Sequence, residues 1–549
     1  MEWILLGGVV WPGKGLPTGE ALAIQGGKVA AVGSREEILA LRQPHTEVVD
    51  AGAGFIMPGF IDSHLHLFML GKLLQELDLT QVESVGELIE KVKGAPGEGW
   101  IFGHGWDDAR FAEGRLPRRQ DVDPVTGDRP LLLRRRCGHV ALANTAALKA
   151  AGVWPGKREL PPSLVDLDEE GYPTGTLREG AIAWVAGAMP SPSRSQWKEH
   201  VVRGALEAAR VGITTLHTND GSRDVYPTDG HPSFEDVETV YGELAEEGRL
   251  PVRVSWDFPV ELLSLAKERG VGTGLRGRPG SDLFLYGEAK AFTDGSLGGR
   301  TAALLEPYSD DPGNRGLLLW ADEDLEGALE EAFRAGIGVC IHAIGDRAAE
   351  QVLQNVAKVK ERLEGEGLWG EGPAAVFRPR LIHCQIMEPS QFSRMAALGM
   401  VGDVQPRFVR SDLPIIEKRV GAERAKSSYA WKSLLEAGVP LAFSSDCPIE
   451  PLNPLEGVQA ALLRQDDKGE PQGGWQPEEK LPLEEALHLY TYGGAYAMGA
   501  EGERGRLLPG YSADLVILEK NPFEVEPQGL QDIKVRATFV AGKKTFGEL

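Results

Sequence analysis

Ile56-Met57-Pro58-Gly59-Phe60-Ile61-Asp62-Ser63-His64-Leu65-His66 is an apolar run that closes on two histidines one residue apart. In extended backbone, residues i and i+2 face the same side, so both imidazoles are aimed at one point. An apolar strand ending in paired nitrogen donors suits a metal site at the mouth of a barrel. A surface His-x-His on a loop would read the same in isolation. The rest of the chain separates the two readings.

Seven more strand-like apolar runs follow 56–63, at 212–218, 251–257, 284–292, 337–342, 380–385, 400–405 and 439–446. Helical patterns lie between them, as at 323–335, 347–363, 423–437 and 483–498. Strand and helix in alternation argue for βαβ units and a parallel sheet. Eight such units make an α/β fold, a (β/α)8 TIM barrel, over residues 56–499. A doubly wound open sheet shares this alternation and is the competing architecture. Residues 1–55 and 500–549 instead hold short β runs broken by glycine. Neither end has enough strands for a domain of its own, so both are expected to pair into one small β-sandwich. The gap after the first run far exceeds the ~10–12 residues a crossover needs. Residues of about 67–200 therefore read as a subdomain inserted after the first barrel strand.

The bulk numbers narrow the function. The 549 residues are 42% hydrophobic and 25% charged, ordinary for a globular enzyme. A net charge of −23 repels phosphate backbones, so nucleic acid is not an expected partner. No stretch approaches the ~18–20 apolar residues of a membrane span. Residues 1–8 lack the basic start of a signal peptide. The four cysteines, Cys137, Cys340, Cys384 and Cys447, form no C-x-x-C pair and read as reduced thiols in the cytoplasm. The expected partner is a small-molecule substrate. Oligomeric state is left open, a homodimer included.

In TIM barrels catalytic groups sit at the C-terminal ends of strands. His64 and His66 follow the first run, Lys290 lies late in the fourth, His342 and His383 end the fifth and sixth, and Asp446 ends the eighth. Imidazole and carboxylate suit zinc and similar divalent ions, one or two of them. Lys290 is the odd member, because an ammonium has no lone pair to donate. Desolvated and neutral, it can add CO2, and the resulting carbamate is a carboxylate able to bridge two cations. An ion pair with Glu288 or Asp294 is the plainer reading of Lys290. Asp446 can serve both as ligand and as proton carrier. Water on such a metal ionises near neutral pH, the hydroxide attacks a polarised carbonyl, and Asp446 returns the proton to the leaving nitrogen.

These motifs resemble the amidohydrolase superfamily. Pro58-Gly59-Phe60-Ile61-Asp62-Ser63-His64-Leu65-His66 is similar to its first-strand signature. The likeness is strongest to the family 3 amidohydrolases, which include the N-substituted formamide deformylases. It is carried by Thr293-Asp294-Gly295-Ser296-Leu297-Gly298-Gly299-Arg300-Thr301-Ala302-Ala303, His342-Ala343-Ile344-Gly345-Asp346, Val404-Gln405-Pro406 and Ser445-Asp446-Cys447-Pro448. Gly171-Tyr172-Pro173-Thr174-Gly175 with Glu179, and Gly510-Tyr511-Ser512-Ala513-Asp514-Leu515, extend it over nearly the whole chain. The resemblance implies a barrel with a terminal β-sandwich, one or two metals, and hydrolysis of amide-type C–N bonds. It implies His64, His66, His342, His383 and Asp446 as ligands and Lys290 as the carbamate bridge. Glu179 or a cysteine is the alternative bridge, since superfamily members vary here. Cys340, two residues before His342, reads more simply as small core filler.

Trp106, His139 and Arg300 are candidate substrate residues, Arg300 as a clamp for a carboxylate. His104 could join them, and His217 reads as a satisfied residue of a deeper layer. The leading function is metal-dependent hydrolysis of an N-acyl or N-formyl amide. A deaminase or cyclic amidase on the same scaffold is the alternative, and a catalytically inactive scaffold the third reading.

Overall fold

The structure is a computed structural model describing residues 1–97, 99–136, 139–221, 233–271, 276–278, 281–369 and 378–548. Cys137 lies outside the described residues. The described chain divides into two compact units, one of Met1–Leu70, Val201–Asp220 and Phe234–Leu549, the other of Gly71–His200 and Gly221–Ser233.

In the first unit, each of the eight apolar runs supplies one strand of a parallel sheet. The strands follow chain order: Phe60–Leu65, Ile213–Thr218, Arg253–Pro259, Ser281–Phe292, Val339–Ala343, Arg380–His383, Val401–Val404 and Leu441–Phe443. The two ends of this sheet are stitched together. Asp446 N donates to His64 O at 2.8 Å, His66 N to Cys447 O at 2.8 Å, and Ser63 Oγ lies 3.0 Å from the Phe443 carbonyl. The result is a nearly closed TIM barrel, not a doubly wound open sheet. Helices cover its outside. Asp346–Gly365, for example, buries Ala348, Ala349, Val352, Leu353, Val356, Val359 and Leu363, a one-face helical spacing. Each valine or leucine among them, once buried, contributes about 1.5–3 kcal/mol of transfer free energy.

The first run divides in two. Phe60–Leu65 is barrel, but Phe55–Pro58 pairs in parallel with Trp3–Val10 and antiparallel with Leu515–Leu518. Gly59 is the joint. A Cβ there would lie 2.1 Å from Thr214 Cγ2, so no side chain fits where the chain passes between sheets. The edge of the terminal sheet therefore falls at Pro58, three residues past the boundary read from the sequence.

That terminal sheet has eight strands drawn from both ends of the chain, in the order Lys543–Gly547, Val535–Val540, Leu515–Leu518, Phe55–Pro58, Trp3–Val10, Gly19–Gln25, Lys28–Gly33, with Glu47–Asp50 also on Trp3–Val10. Alternate residues bury opposite faces. Leu5, Leu22 and Ile24 join Ile56, Leu515 and Phe539 on one side, while Ile4, Leu6, Ala21 and Ala23 pack with Ile38 on the other.

The second unit has its own six-stranded sheet, ordered Val165–Leu167, Pro173–Arg178, Val140–Ala143, Leu131–Arg135, Ile101–Trp106, Leu77–Asp78. Among the described residues, no helix is long and apolar enough to cross a membrane.

Candidate metal centre

Six side chains from five barrel strands converge in the first unit. His64 and His66 come from the end of strand one, Lys290 from late in strand four, and His342 from strand five. His383 is the last residue of strand six, and Asp446 stands three residues past strand eight. All six are at most 9% exposed. Asp446 Oδ1 lies 3.1 Å from His66 Nε2 and 3.4 Å from His64 Nε2. Lys290 Nζ is 3.5 Å from His64 Nε2, and His383 Nε2 is 2.9 Å from His342 Nδ1. Ligand atoms of His64, His383 and Asp446 all lie within 4.8 Å of one another. The backbone is strained at two of these points: His383 has φ 84° and Asp446 φ 58°, as does neighbouring Cys384 at 46°. Such left-handed residues cost about 1–3 kcal/mol each and persist only where surrounding structure enforces them.

Hydrogen-bond partners fix the ring tautomers. Gln405 Nε2 donates to the Asp403 carbonyl at 3.2 Å and to Ser444 Oγ at 2.8 Å, so its oxygen faces His383 Nδ1 at 2.8 Å. His383 therefore carries its hydrogen on Nδ1 and a bare lone pair on Nε2. His342 Nε2 donates to the Gly295 carbonyl at 3.0 Å, which leaves its Nδ1 bare. The two bare nitrogens thus face each other at 2.9 Å. His66 repeats the pattern: Nδ1 donates to the Asn219 carbonyl at 2.8 Å, and Nε2 meets the Asp446 carboxylate. Acceptors aimed at acceptors are satisfied only by a proton or a metal cation between them. Neutral imidazoles with a carboxylate are a donor set for zinc and similar divalent ions, so the residues present fit a metal.

Electrostatics at His64 and His383 agree with that reading. Burial, then the Lys290 charge, holds His64 well below the usual histidine range, and burial with His342 does the same to His383. Burial also pushes His66 down, but the Asp446 carboxylate and the Asn219 carbonyl outweigh it and leave this ring more basic than usual. Lys290 is lowered, chiefly by burial, towards the neutral amine that carbamate chemistry needs.

A second buried cluster lies two residues earlier on strands four and five, joined by Asp257 of strand three. Ligand atoms of Asp257, Glu288 and Cys340 are also within 4.8 Å of one another. Here a cation is already in place. Arg380 Nη1 lies 3.3 Å from Asp257 Oδ2, 3.1 Å from Glu288 Oε2 and 3.0 Å from His217 Nδ1, while Nη2 bonds Asp403 and the Ser63 carbonyl. Asp257 and Glu288 are raised, first of all by burial.

Comparison with known proteins fits this geometry. Residues 47–546 match the amidohydrolase family. The chain belongs to that family. It is 32% identical over 535 residues to the putative amidohydrolase YtcJ of Bacillus subtilis, covering 96% of each chain. It is 26% identical over 543 residues to N-substituted formamide deformylase of Arthrobacter pascens, covering 95% of this chain and 94% of the other. An uncharacterized metal-dependent hydrolase from Pyrococcus furiosus superposes with a TM-score of 0.77 at 31% identity, over 95% of this chain and all of that one. This amidohydrolase is accordingly a metal-dependent hydrolase of carbon–nitrogen bonds.

The other sequence candidates fall elsewhere in the amidohydrolase. His217 is buried against Arg380, and Cys340 is buried beside Asp257 and Glu288. Arg300 is occupied by Asp310, with contacts of 3.2 and 3.0 Å, and Asp310 also holds Arg419. In the second unit, His139 Nδ1 and Glu179 Oε2 pair with each other at 3.1 Å on exposed side chains. His104 lies 3.5 Å from Glu76. Trp106 is in that unit's core, its indole donating to the Leu133 carbonyl at 2.9 Å.

Sequence reasoning missed the groups that orient the donors: Gln405, the Asn219 and Gly295 carbonyls, Asp62, and Arg380. Two signals were present. Arg380 is a charge inside an apolar run, and such a residue is buried only when paired. Asp62 stands in the opening motif, and its Oδ1 accepts from His64 N at 3.2 Å and Ser445 N at 3.1 Å, tying strand one to strand eight.

Proposed function

We propose that His64, His66, His342, His383 and Asp446 hold one or two divalent ions, zinc by their donor set. Lys290, as a carbamate, would add a further carboxylate to that donor set, and the substrate is an N-acyl or N-formyl amide. The observation that carries this reading is the pair of bare nitrogens, His342 Nδ1 and His383 Nε2, 2.9 Å apart in a buried site. Lys290 is favoured over Glu179 in that role because its Nζ is 3.5 Å from His64 Nε2, whereas Glu179 is engaged by His139. A bound divalent ion supplies an acidified water and a polarised carbonyl. The chain supplies the rest. Asp446, in contact with both His64 and His66, takes a proton from the nucleophile at Oδ1 and delivers it to the leaving nitrogen. Carbamate formation joins the neutral Lys290 amine to CO2 and releases one proton. The deformylase relative, named for N-substituted formamides, supports this substrate class. Residues 1–55 with 500–549, extended to Pro58, form the β-sandwich domain of this reading, and 67–200 the insertion in the barrel.

The test incubates metal-loaded protein with N-formyl and N-acyl amines, cyclic amides and exocyclic amines. Release of formate or another carboxylate together with a free amine is expected. Ammonia release, or ring opening alone, would overturn the assignment in favour of a deaminase or cyclic amidase.

A further inference from the structure

We propose that Gln405 is a positioning residue whose amide selects the metal-binding tautomer of His383, and that Ser444 and Asp403 lock the amide in that sense. This inference rests on the metal-binding reading above. The three histidines with assigned tautomers are not held alike. His66 and His342 each donate to a backbone carbonyl, of Asn219 and Gly295, which can only accept. His383 donates to a side-chain amide, which presents oxygen or NH2 depending on how it is turned. With NH2 towards His383, Nδ1 would have to be bare and Nε2 would carry the hydrogen. Nε2 would then point a proton, not a lone pair, at the cation.

The surroundings of Gln405 forbid that turn. Its Nε2 donates to the Asp403 carbonyl at 3.2 Å and to Ser444 Oγ at 2.8 Å. A turned amide would set oxygen against the Asp403 carbonyl. Ser444 is not free to compensate, because its own hydrogen goes to Asp403 Oδ1 at 2.8 Å. Asp403 is in turn held by Arg380 through Oδ2. Arg380, Asp403, Ser444, Gln405 and His383 therefore form one hydrogen-bonded chain, every member at most 3% exposed. It reaches from the deeper charged cluster to one nitrogen of the metal centre. Partners of this kind orient ligand imidazoles and raise their basicity.

The test is zinc affinity of the full chain, by competition with a chromophoric chelator, for wild type, Gln405→Met, Gln405→Glu and Ser444→Ala, with circular dichroism checking the fold. Gln405→Met offers no acceptor and should bind zinc about 10–100-fold more weakly. Gln405→Glu keeps an acceptor at His383 Nδ1 and, protonated on its other oxygen, donates to the Asp403 carbonyl in place of the amide, so it should stay within about threefold of wild type. Ser444→Ala, which frees one anchor of the amide, should fall between them. Wild-type affinity in Gln405→Met, or equal losses in the Met and Glu variants, overturns the inference; the second result would mean a packing role. Should Gln405→Met fail to fold, Gln405→Glu at wild-type affinity with Ser444→Ala weakened supports it, and any other order overturns it. Failure of the wild type to bind zinc would instead refute the metal-binding reading and this inference with it.

Discussion

Two buried clusters lie one above the other in the barrel, made of similar residues and doing different things. The upper one gathers His64, His66, His342, His383 and Asp446; the lower gathers Asp257, Glu288, Asp403, Cys340 and His217 around Arg380. By proximity alone, both contain three groups able to hold a metal. The difference is where the positive charge comes from. Below, a guanidinium is built in, and its donors meet the carboxylates directly. Above, bare nitrogens face each other and a carboxylate, and burial drives the built-in Lys290 cation towards neutrality. Buried donors mark a metal site only when the protein has left their charge uncompensated.

Four changes would break or sharpen that contrast. The largest effect is expected at Asp446. Asp446→Asn removes the proposed proton carrier from the upper cluster, and steady-state kinetics on a cleaved amide should show kcat lowered by about 10²–10⁴-fold in a folded protein. Next is the lower cluster's cation. Arg380→Met leaves buried carboxylates unpaired, and urea denaturation should show a loss of about 3–5 kcal/mol.

Asp62 tests burial without a cation. Its Oδ2 has no hydrogen-bond partner, and burial, aided by the Asp403 charge, raises its carboxyl to about 7. Because the folded value lies above the unfolded one, the folded chain binds more protons between pH ~4 and ~7, so stability must fall as pH rises through that window. Chelator-treated wild type should therefore lose on the order of 4 kcal/mol, at most, relative to Asp62→Asn between pH 4 and 7, read from denaturation curves at each pH. A constant difference across the window would contradict this. The smallest effect is expected at Cys340. Cys340→Ala should cost about 1 kcal/mol and leave metal stoichiometry by elemental analysis unchanged, since the cluster it belongs to is already neutralised.

Much of the barrel could be read from the chain because burial on both faces writes parallel strands as continuous apolar runs. The donors could be read because strand ends are where side chains leave that pattern: His342 and His383 are polar groups closing Val339–Ala343 and Arg380–His383. What escaped reading depends on partners distant in sequence. Nothing local says that Gly59 divides one apolar run between two sheets; the reason is Thr214, more than 150 residues on. Gln405 stood in a recognised motif, but the sense of its amide depends on Asp403 and Ser444 together. The Asn219 carbonyl that fixes His66 belongs to the backbone and has no residue signature at all. Trp106 shows the converse: read as a candidate substrate residue, it has its side chain in the core of the second unit.

The account turns on one location for the metal. Crystals of zinc-loaded protein, measured at the zinc absorption edge, should give anomalous density at about 2.0–2.2 Å from nitrogens of His64, His66 or His383 and from the Asp446 carboxylate, with none among Asp257, Glu288 and Cys340. Density in the lower cluster, or none between the histidines and Asp446, would contradict it.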